Sequence, residues 1–210
     1  MNPEQAYGNA ILLSGPSGVG KSTICRELHR LLPQLRFSVS CTTRRRRPSE
    51  IDGKDYHFIC EEEYKQHLEQ GDFLEHAEVH AFLYGTLKSE LDCLRKGNDI
   101  LLDIDVQGVQ QVRERLKNEE FFGRRYVTVF IMPPSIAVLE KRLRGRGTET
   151  EEAIARRLRN AQGEMARWRE YDYVVINYEA ATAAEELASI IRASHLRTCV
   201  VTRETWNDER

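Results

Sequence analysis

The sequence predicts an α/β protein, a parallel sheet covered by helices with a lobe of mixed strands and helix inserted over 38–98. Three observations carry this expectation. Short apolar runs alternate with segments of helical period, a glycine-rich turn joins the first run to the first helix, and the texture changes between Ser38 and Asn98. A length of 210 residues suits one domain, or one core carrying an inserted lobe.

Ala10-Ile11-Leu12-Leu13 is an apolar run ending at Ser14-Gly15, the length of a strand buried on both faces of a parallel sheet. Ile24, Leu28, Leu31 and Leu32 follow at helical spacing until Pro33 ends the segment. A second buried strand is predicted over 100–105, then a helix carrying Val109, Val112 and Leu116. The third strand, Tyr126-Val127-Thr128-Val129-Phe130-Ile131-Met132, stops at Pro133-Pro134. Ile136, Leu139 and Leu143 mark the next helix, and Ile154, Leu158, Ala161, Met165 and Trp168 form a long stripe on the one after. Tyr173-Val174-Val175-Ile176 reads as a further strand, and Leu187, Ile190 and Ile191 face inward from a late helix. The core is therefore expected over 1–37 and 99–210. Within 38–98 stand the basic run Arg44-Arg45-Arg46-Arg47, the turn Asp52-Gly53, alternation in Tyr56-His57-Phe58-Ile59 and a polar helix around Glu61 to Gln70. The tail over 197–210 is polar.

Composition narrows the function classes. Lys and Arg total 31 against 33 Asp and Glu, so a net charge of −2 exerts no global pull toward nucleic acid or membrane. Any anion binding must be local. The 40% hydrophobic and 30% charged residues describe a soluble globular chain, not a disordered one. Cys25, Cys41, Cys60, Cys93 and Cys199 are odd in number and form no CxxC pair, which argues against a disulfide framework or zinc site and for the reducing cytoplasm. The N-terminus lacks a basic and apolar leader pattern, and no stretch approaches the roughly 18–20 apolar residues of a membrane span. Oligomeric state is left open.

Gly15-Pro16-Ser17-Gly18-Val19-Gly20-Lys21-Ser22 fits G-x-x-x-x-G-K-[ST] between a buried strand and a helix, where phosphate chemistry needs it. Glycines let backbone N–H groups curl around a phosphate, the helix dipole favours negative charge, Lys21 adds a point charge and the Ser22 hydroxyl can ligate Mg²⁺. A nucleoside triphosphate is the expected ligand. In Leu101-Leu102-Asp103-Ile104-Asp105 two acids end a buried strand, and period-two alternation predicts that both face one crevice. Asp103 is the better partner for Mg²⁺, through water.

Ser40-Cys41-Thr42-Thr43 and the four arginines after them are compatible with a nucleic-acid patch, a solvated charge run or a clamp for a small phosphate. One short run in a chain of net charge −2 is weak support for a polynucleotide, so none is expected as partner. The run alone does not choose between the other two. Arg142-Leu143-Arg144-Gly145-Arg146-Gly147-Thr148-Glu149 lies between two helices, and its glycines suggest a movable segment able to carry cations over a bound triphosphate, with Arg157 on the next helix.

Taken together, these pieces resemble the guanylate kinase family, whose members transfer a phosphoryl group from ATP to GMP. The matching stretches also include Phe37-Ser38-Val39-Ser40, Gly53-Lys54-Asp55-Tyr56-His57-Phe58, Phe73-Leu74-Glu75, Tyr84-Gly85-Thr86 and Asp105-Val106-Gln107-Gly108, in the family's order. The resemblance implies a P-loop three-layer core, a GMP-binding lobe over 38–98 and a mobile lid at about 142–157. ATP would lie on the loop from Gly15 to Thr23, with Asn177 beside the adenine, and GMP or dGMP would be the acceptor. Arg44, Arg47, Tyr56 and Tyr84 would hold the GMP phosphate, and Ser40, Glu75, Thr86 and Asp105 would read guanine. Lys21, Arg44, Arg142, Arg146 and Arg157 would surround the transferring group. Cys41 stands where serine is common, Arg45-Arg46 replace a less basic pair, and Tyr178 follows Asn177 where an acid is usual.

Elementary chemistry supports the assignment of Glu75. A carboxylate accepts two hydrogen bonds from the N1–H and N2–H₂ edge of guanine, whereas adenine leaves it partly unpaired, and such sites discriminate by roughly 10⁴. A different class, non-catalytic guanylate-kinase-like scaffolds that bind phosphopeptides, typically has a degraded phosphate loop. Retention of Lys21, Ser22, Asp103, Arg142 and Arg146 favours catalysis.

Overall fold

The computed structural model describes residues 7–79, 81–145 and 150–201. Alternation along β1 (Ala10–Ser14) sends Ile11 and Leu13 to one face of the central sheet and Ala10 and Leu12 to the other, and all four are buried. A strand buried on both faces needs neighbours on both edges and helices above and below. Its neighbours are β7 (Ile100–Asp103) and β8 (Tyr126–Met132), both parallel to it, with Leu12 opposite Leu102 and Thr128. β2 (Arg36–Phe37) and β9 (Tyr173–Ile176) complete the order β2-β7-β1-β8-β9.

One face packs on α1 (Lys21–Leu31) and α6 (Ala180–Ser194), where Ile24, Leu28, Ala184 and Leu187 meet Ile11, Val129 and Val175. The other packs on α3 (Val106–Leu116) and a 3₁₀ helix, Lys88–Lys96, through Val109, Val112, Leu91 and Leu94. Each fully buried aliphatic side chain contributes about 1.5–3 kcal/mol relative to exposure. α4 (Ile136–Arg144) and α5 (Glu151–Ala166) share a small cluster of their own around Leu139, Leu143 and Ala161.

The lobe carries a second sheet in the order β4-β3-β6-β5. Its strands are β3 (Cys41–Thr42), β4 (His57–Phe58), β5 (Phe73–Val79) and β6 (Phe82–Leu87), with α2 (Glu61–Gln70) between β4 and β5. β3 and β4 are parallel, whereas β6 runs antiparallel to both of its neighbours. Tyr64 of α2 stacks on Phe73 with ring centroids 4.6 Å apart, which pins helix to sheet.

Several expectations need correction. The strand predicted over 100–105 stops at Asp103, because Asp105 caps α3 by accepting from Gly108 N–H at 2.7 Å. A short carboxylate beside orphan helix donors makes that bond in preference to continuing a strand. Trp168 leaves α5 for a 3₁₀ turn, Trp168–Glu170. The strand predicted at 173–176 is present as β9, and as an edge strand it leaves Val174 and Ile176 36% and 43% exposed. The two-residue β2 and the helix Lys88–Lys96 are too short or too irregular in hydrogen bonding for periodicity to show them.

At the end of the core opposite the phosphate loop, Asp99 joins three elements. Its Oδ1 accepts from Asn9 N–H at 2.7 Å, its Oδ2 lies 3.0 Å from His195 Nε2, and Asn9 Nδ2 donates to Ser194 Oγ at 3.0 Å. The bond to Asp99 raises the His195 pKa, against burial and Arg125. A raised histidine pKa contributes stability below the unfolded value near 6.5 and loses it as pH climbs through the folded value. His195→Ala should therefore cost more in urea unfolding at about pH 5.5 than at about pH 8.5; an equal cost at both would remove the ion pair from the account.

Candidate active site

β1 ends at Ser14, and the chain turns through Gly15 to Gly20 before α1 begins. Gly20 caps α1 in the left-handed region at φ 106° and, having no side chain, makes no side-chain cap bond to the first turn. Helices α2 to α5, in contrast, are capped by the side chains of Cys60, Asp105, Ser135 and Thr150. Open N–H groups and the positive end of the dipole make the start of α1 an anion site. Glycine is needed at position 20 for a second reason: a Cβ there would lie 2.6 Å from Asn177 Nδ2.

Tertiary bonds hold the loop in shape. Val19 O accepts from Asn177 Nδ2 at 2.7 Å and from Arg142 Nη1 at 2.9 Å, while Arg142 Nη2 reaches Asn177 O at 2.9 Å. Lys21 Nζ donates to Gly15 O at 2.8 Å and lies 3.7 Å from Asp103 Oδ1. The Asp103 side chain is 41% accessible at the mouth of a recess, yet the surrounding protein pushes its carboxyl pKa up, with Lys21 opposing. Ser22 and Thr23 are exposed at the start of α1, and Arg157 Nη1 is 3.3 Å from Ser17 Oγ.

A second polar group forms in the lobe. Thr86 Oγ1 donates to Glu75 Oε1 at 2.6 Å and lies 2.9 Å from Ser40 Oγ, so its single hydroxyl proton is committed and Ser40 donates to it. Glu75 is 6% exposed; burial pushes its carboxyl pKa up, while the Thr86 hydrogen bonds hold it down. A β-bulge between Phe73 and Glu75 breaks the register of β5 where this side chain must be aimed. Across from it stands the first turn of α3: a Cβ on Gly108 would lie 2.9 Å from Glu75 Oε2 and 3.3 Å from Asp105 Oδ1. Ser40, Glu75, Thr86 and Asp105 are thus brought together from four elements or their ends.

Arg44, Tyr56 and Tyr84 also converge. The Arg44 guanidinium carbon lies 5.6 Å from the Tyr56 ring centroid, and the Tyr56 and Tyr84 rings are 5.9 Å apart. Its fork is held by Glu50, Nη2 to Oε1 at 2.7 Å and Nη1 to Oε2 at 3.1 Å, and Glu50 Oε2 also accepts Arg47 N–H at 2.8 Å. Glu50 was not foreseen; its signal was being the first acid after four arginines. The Arg47 side chain is exposed. Glu164, equally unforeseen, lines a crevice of about 400 Å³ together with Asp105, Gln107 and Asn160. Burial pushes its pKa up, and Ser17 N–H bonds to it. One acid on a polar helix offers no local signal. Arg146, expected over the triphosphate, lies outside the described residues.

Asn177 is 3% exposed and braces the loop through Val19, so it shapes the site from below. The arrangement offers one anion site on α1, a second at Arg44, and a buried acceptor set suited to a base edge that donates. Gly108→Ala should fold as well as the parent, since alanine favours a helix by about 1 kcal/mol. Its methyl group would nevertheless displace the Glu75 carboxylate, and the Michaelis constant for a guanine nucleotide should rise about tenfold or more; an unchanged constant would show that the close approach is immaterial.

The guanylate kinase family model matches residues 7–194. The guanylate kinase of Geobacter sulfurreducens is 46% identical over 92% of this chain and 93% of its own, and that of Cereibacter sphaeroides is 44% identical over 90% and 88%. A crystal structure of guanylate kinase from Anaplasma phagocytophilum superposes with a TM-score of 0.72 at 34% identity, covering 92% of this chain and 89% of that one. Matches in sequence and fold over nine-tenths of the length, on a scaffold that presents a phosphate loop and a buried Glu75, lead to one conclusion: this chain belongs to the guanylate kinase family.

Proposed function

We propose that the chain transfers the γ-phosphoryl group of ATP to GMP or dGMP, giving ADP and GDP or dGDP. The observation that carries the choice of acceptor is the buried chain Ser40–Thr86–Glu75 facing the first turn of α3. Glu75 accepts from the N1–H and N2–H₂ edge, and the acceptor phosphate lies against Arg44, Arg47, Tyr56 and Tyr84. ATP lies on the loop from Gly15 to Thr23, and Asn177 acts on the donor side through the Val19 carbonyl it holds.

The donor set fits Mg²⁺. Ser22 and Asp103 offer hard oxygens, too few to cage an ion and suited to one that retains water and phosphate ligands, and the Asp103 carboxyl is raised by burial with Lys21 as its opposing cation. Ser22 would hold the ion directly and Asp103 through water; when bound, it neutralises phosphate charge.

The nucleophile is a phosphate oxygen, largely deprotonated at neutral pH because its second pKa is about 6, so no side chain need act as general base. Positioning and charge stabilisation carry the rate. Lys21 is held by Gly15 O beside Asp103, Arg142 bonds to Val19 O of the loop, and Arg157 sits at Ser17. Arg146 and the segment at about 142–157 complete this reading by covering the phosphates and excluding water. No described helix is long and apolar enough to cross a membrane. A cytoplasmic location agrees with five unpaired cysteines.

A coupled assay of ADP release with Mg-ATP should show rapid turnover of GMP and dGMP and slow turnover of AMP, CMP and UMP; equal rates on AMP would remove the guanine assignment. Lys21→Ala should lower kcat by at least about 10²-fold while calorimetry shows GMP binding retained. Unchanged kcat would mean that the loop is not the donor site. Glu75→Gln should erase most of the preference for GMP over AMP, a factor of roughly 10⁴ at sites of this type, and a mutant as selective as its parent would refute the role of Glu75.

A further inference from the structure

Glu75 stands on β5, an edge strand of the lobe sheet, but the outer edge of that strand is not left to solvent. Gln111, on the second turn of α3, turns its side-chain amide onto it. Nε2 donates to His76 O at 2.8 Å, and Oε1 accepts from His76 N–H at 3.1 Å. This is the double bond pattern that a neighbouring antiparallel strand would supply, made here by one side chain from the core. Four residues along the same face of α3, Arg115 donates to Phe73 O.

The bulge explains how both peptides come to face the helix. Phe73 and His76 are three residues apart, so in an unbroken strand their peptide groups would point to opposite edges. One extra residue between Phe73 and Glu75 restores a common outward phase. Glu75 therefore lies between two anchor points on α3, next in sequence to the peptide that Gln111 holds. Its Oε2 also faces Gly108 on that helix. Asp105, the other acid assigned to the guanine edge, caps α3, so a single helix references both acids.

We infer that Gln111 is a positioning residue for base recognition: by clamping the His76 peptide to α3 it fixes the Glu75 carboxylate relative to Asp105 and Gly108. The inference rests on Glu75 being the reader of guanine. Gln111 is half-buried, so removing its amide leaves the apolar core of α3 intact. A carboxylate free to drift loses two-point recognition of the N1–H and N2–H₂ edge more than it loses a single bond.

The test compares Gln111→Ala and Gln111→Met, the second filling the volume without an amide, on GMP and on IMP, whose base lacks the 2-amino group. Both variants should raise the Michaelis constant for GMP about tenfold, the effect of two lost hydrogen bonds, with that for ATP unchanged and the preference for GMP over IMP reduced severalfold. Protection of the His76 amide from hydrogen exchange should fall in both. Equal losses on GMP and IMP, parallel changes for ATP, or wild-type selectivity in Gln111→Met would overturn the inference. Glu75→Gln, run alongside, separates the failures. If it abolishes the GMP preference while the Gln111 variants do not, the positioning role alone falls, and if it leaves the preference intact, the reading of Glu75 falls first.

Discussion

The lysine that opens α1 is the constraint on which the rest of the structure depends. Lys21 donates to the carbonyl of Gly15, the first residue of the loop that it closes, and lies 3.7 Å from Asp103 on the neighbouring strand. That single ammonium ties the carboxyl ends of β1 and β7 together at the point where the loop leaves the sheet. Without it, the Asp103 carboxyl would lose the cation that opposes the upward push of burial on its pKa. The loop is then held from outside by bonds to Val19 O, from Asn177 at the end of β9 and Arg142 on α4. A residue at the end of the edge strand β9 and another on α4 thus both hold one carbonyl.

The second site obeys a different rule. The phosphate loop presents backbone donors that suit any phosphate, whereas Ser40, Thr86 and Glu75 offer acceptors whose directions must be correct, because a misplaced buried acceptor costs about 1–3 kcal/mol. Ser40, Thr86 and Glu75 satisfy one another in a directed chain, leaving the outward lone pairs of Glu75 for a donor from solution. Arg44 is likewise held in place, its fork by Glu50 and its face beside Tyr56. Preorganisation of this kind lowers the entropic cost of binding, since few side chains remain to be ordered.

Both sites draw on the same economy of connection between lobe and core. The lobe sheet has its own small centre around Cys41, Tyr64 and Phe73, and β5 is fastened to α3 both by the amide of Gln111 and by Leu74, buried with Val109 and Val112. Close apolar packing tolerates little shear, so Leu74 adds stiffness to the hydrogen bonds on that edge strand.

How much of this the chain announces can be judged from particular residues. Apolar runs and helical stripes displayed five of the six α-helices and four of the nine strands among the described residues, because burial on a periodic element leaves a periodic trace. The glycine-rich loop was legible for a related reason: its chemistry is local, and eight consecutive residues contain it. Glu164 and Gln111 were not legible, and Glu50 offered only its place as the first acid after four arginines. Glu164 and Gln111 act on partners brought near only by folding, Gln111 across 35 residues to His76, and a lone polar side chain on a polar surface leaves no pattern. The strand end at Asp103 was misjudged because Asp105 had two available roles, and only the nearness of the Gly108 N–H chose between them. The sequence by itself therefore determined the parallel core, the glycine-rich loop before α1 and the family, all of which rest on contiguous or periodic residues. Only the tertiary structure decided which polar side chains meet, Glu75 with Thr86, Asp99 with His195 and Gln111 with the His76 peptide, because that depends on distances between elements apart in the chain.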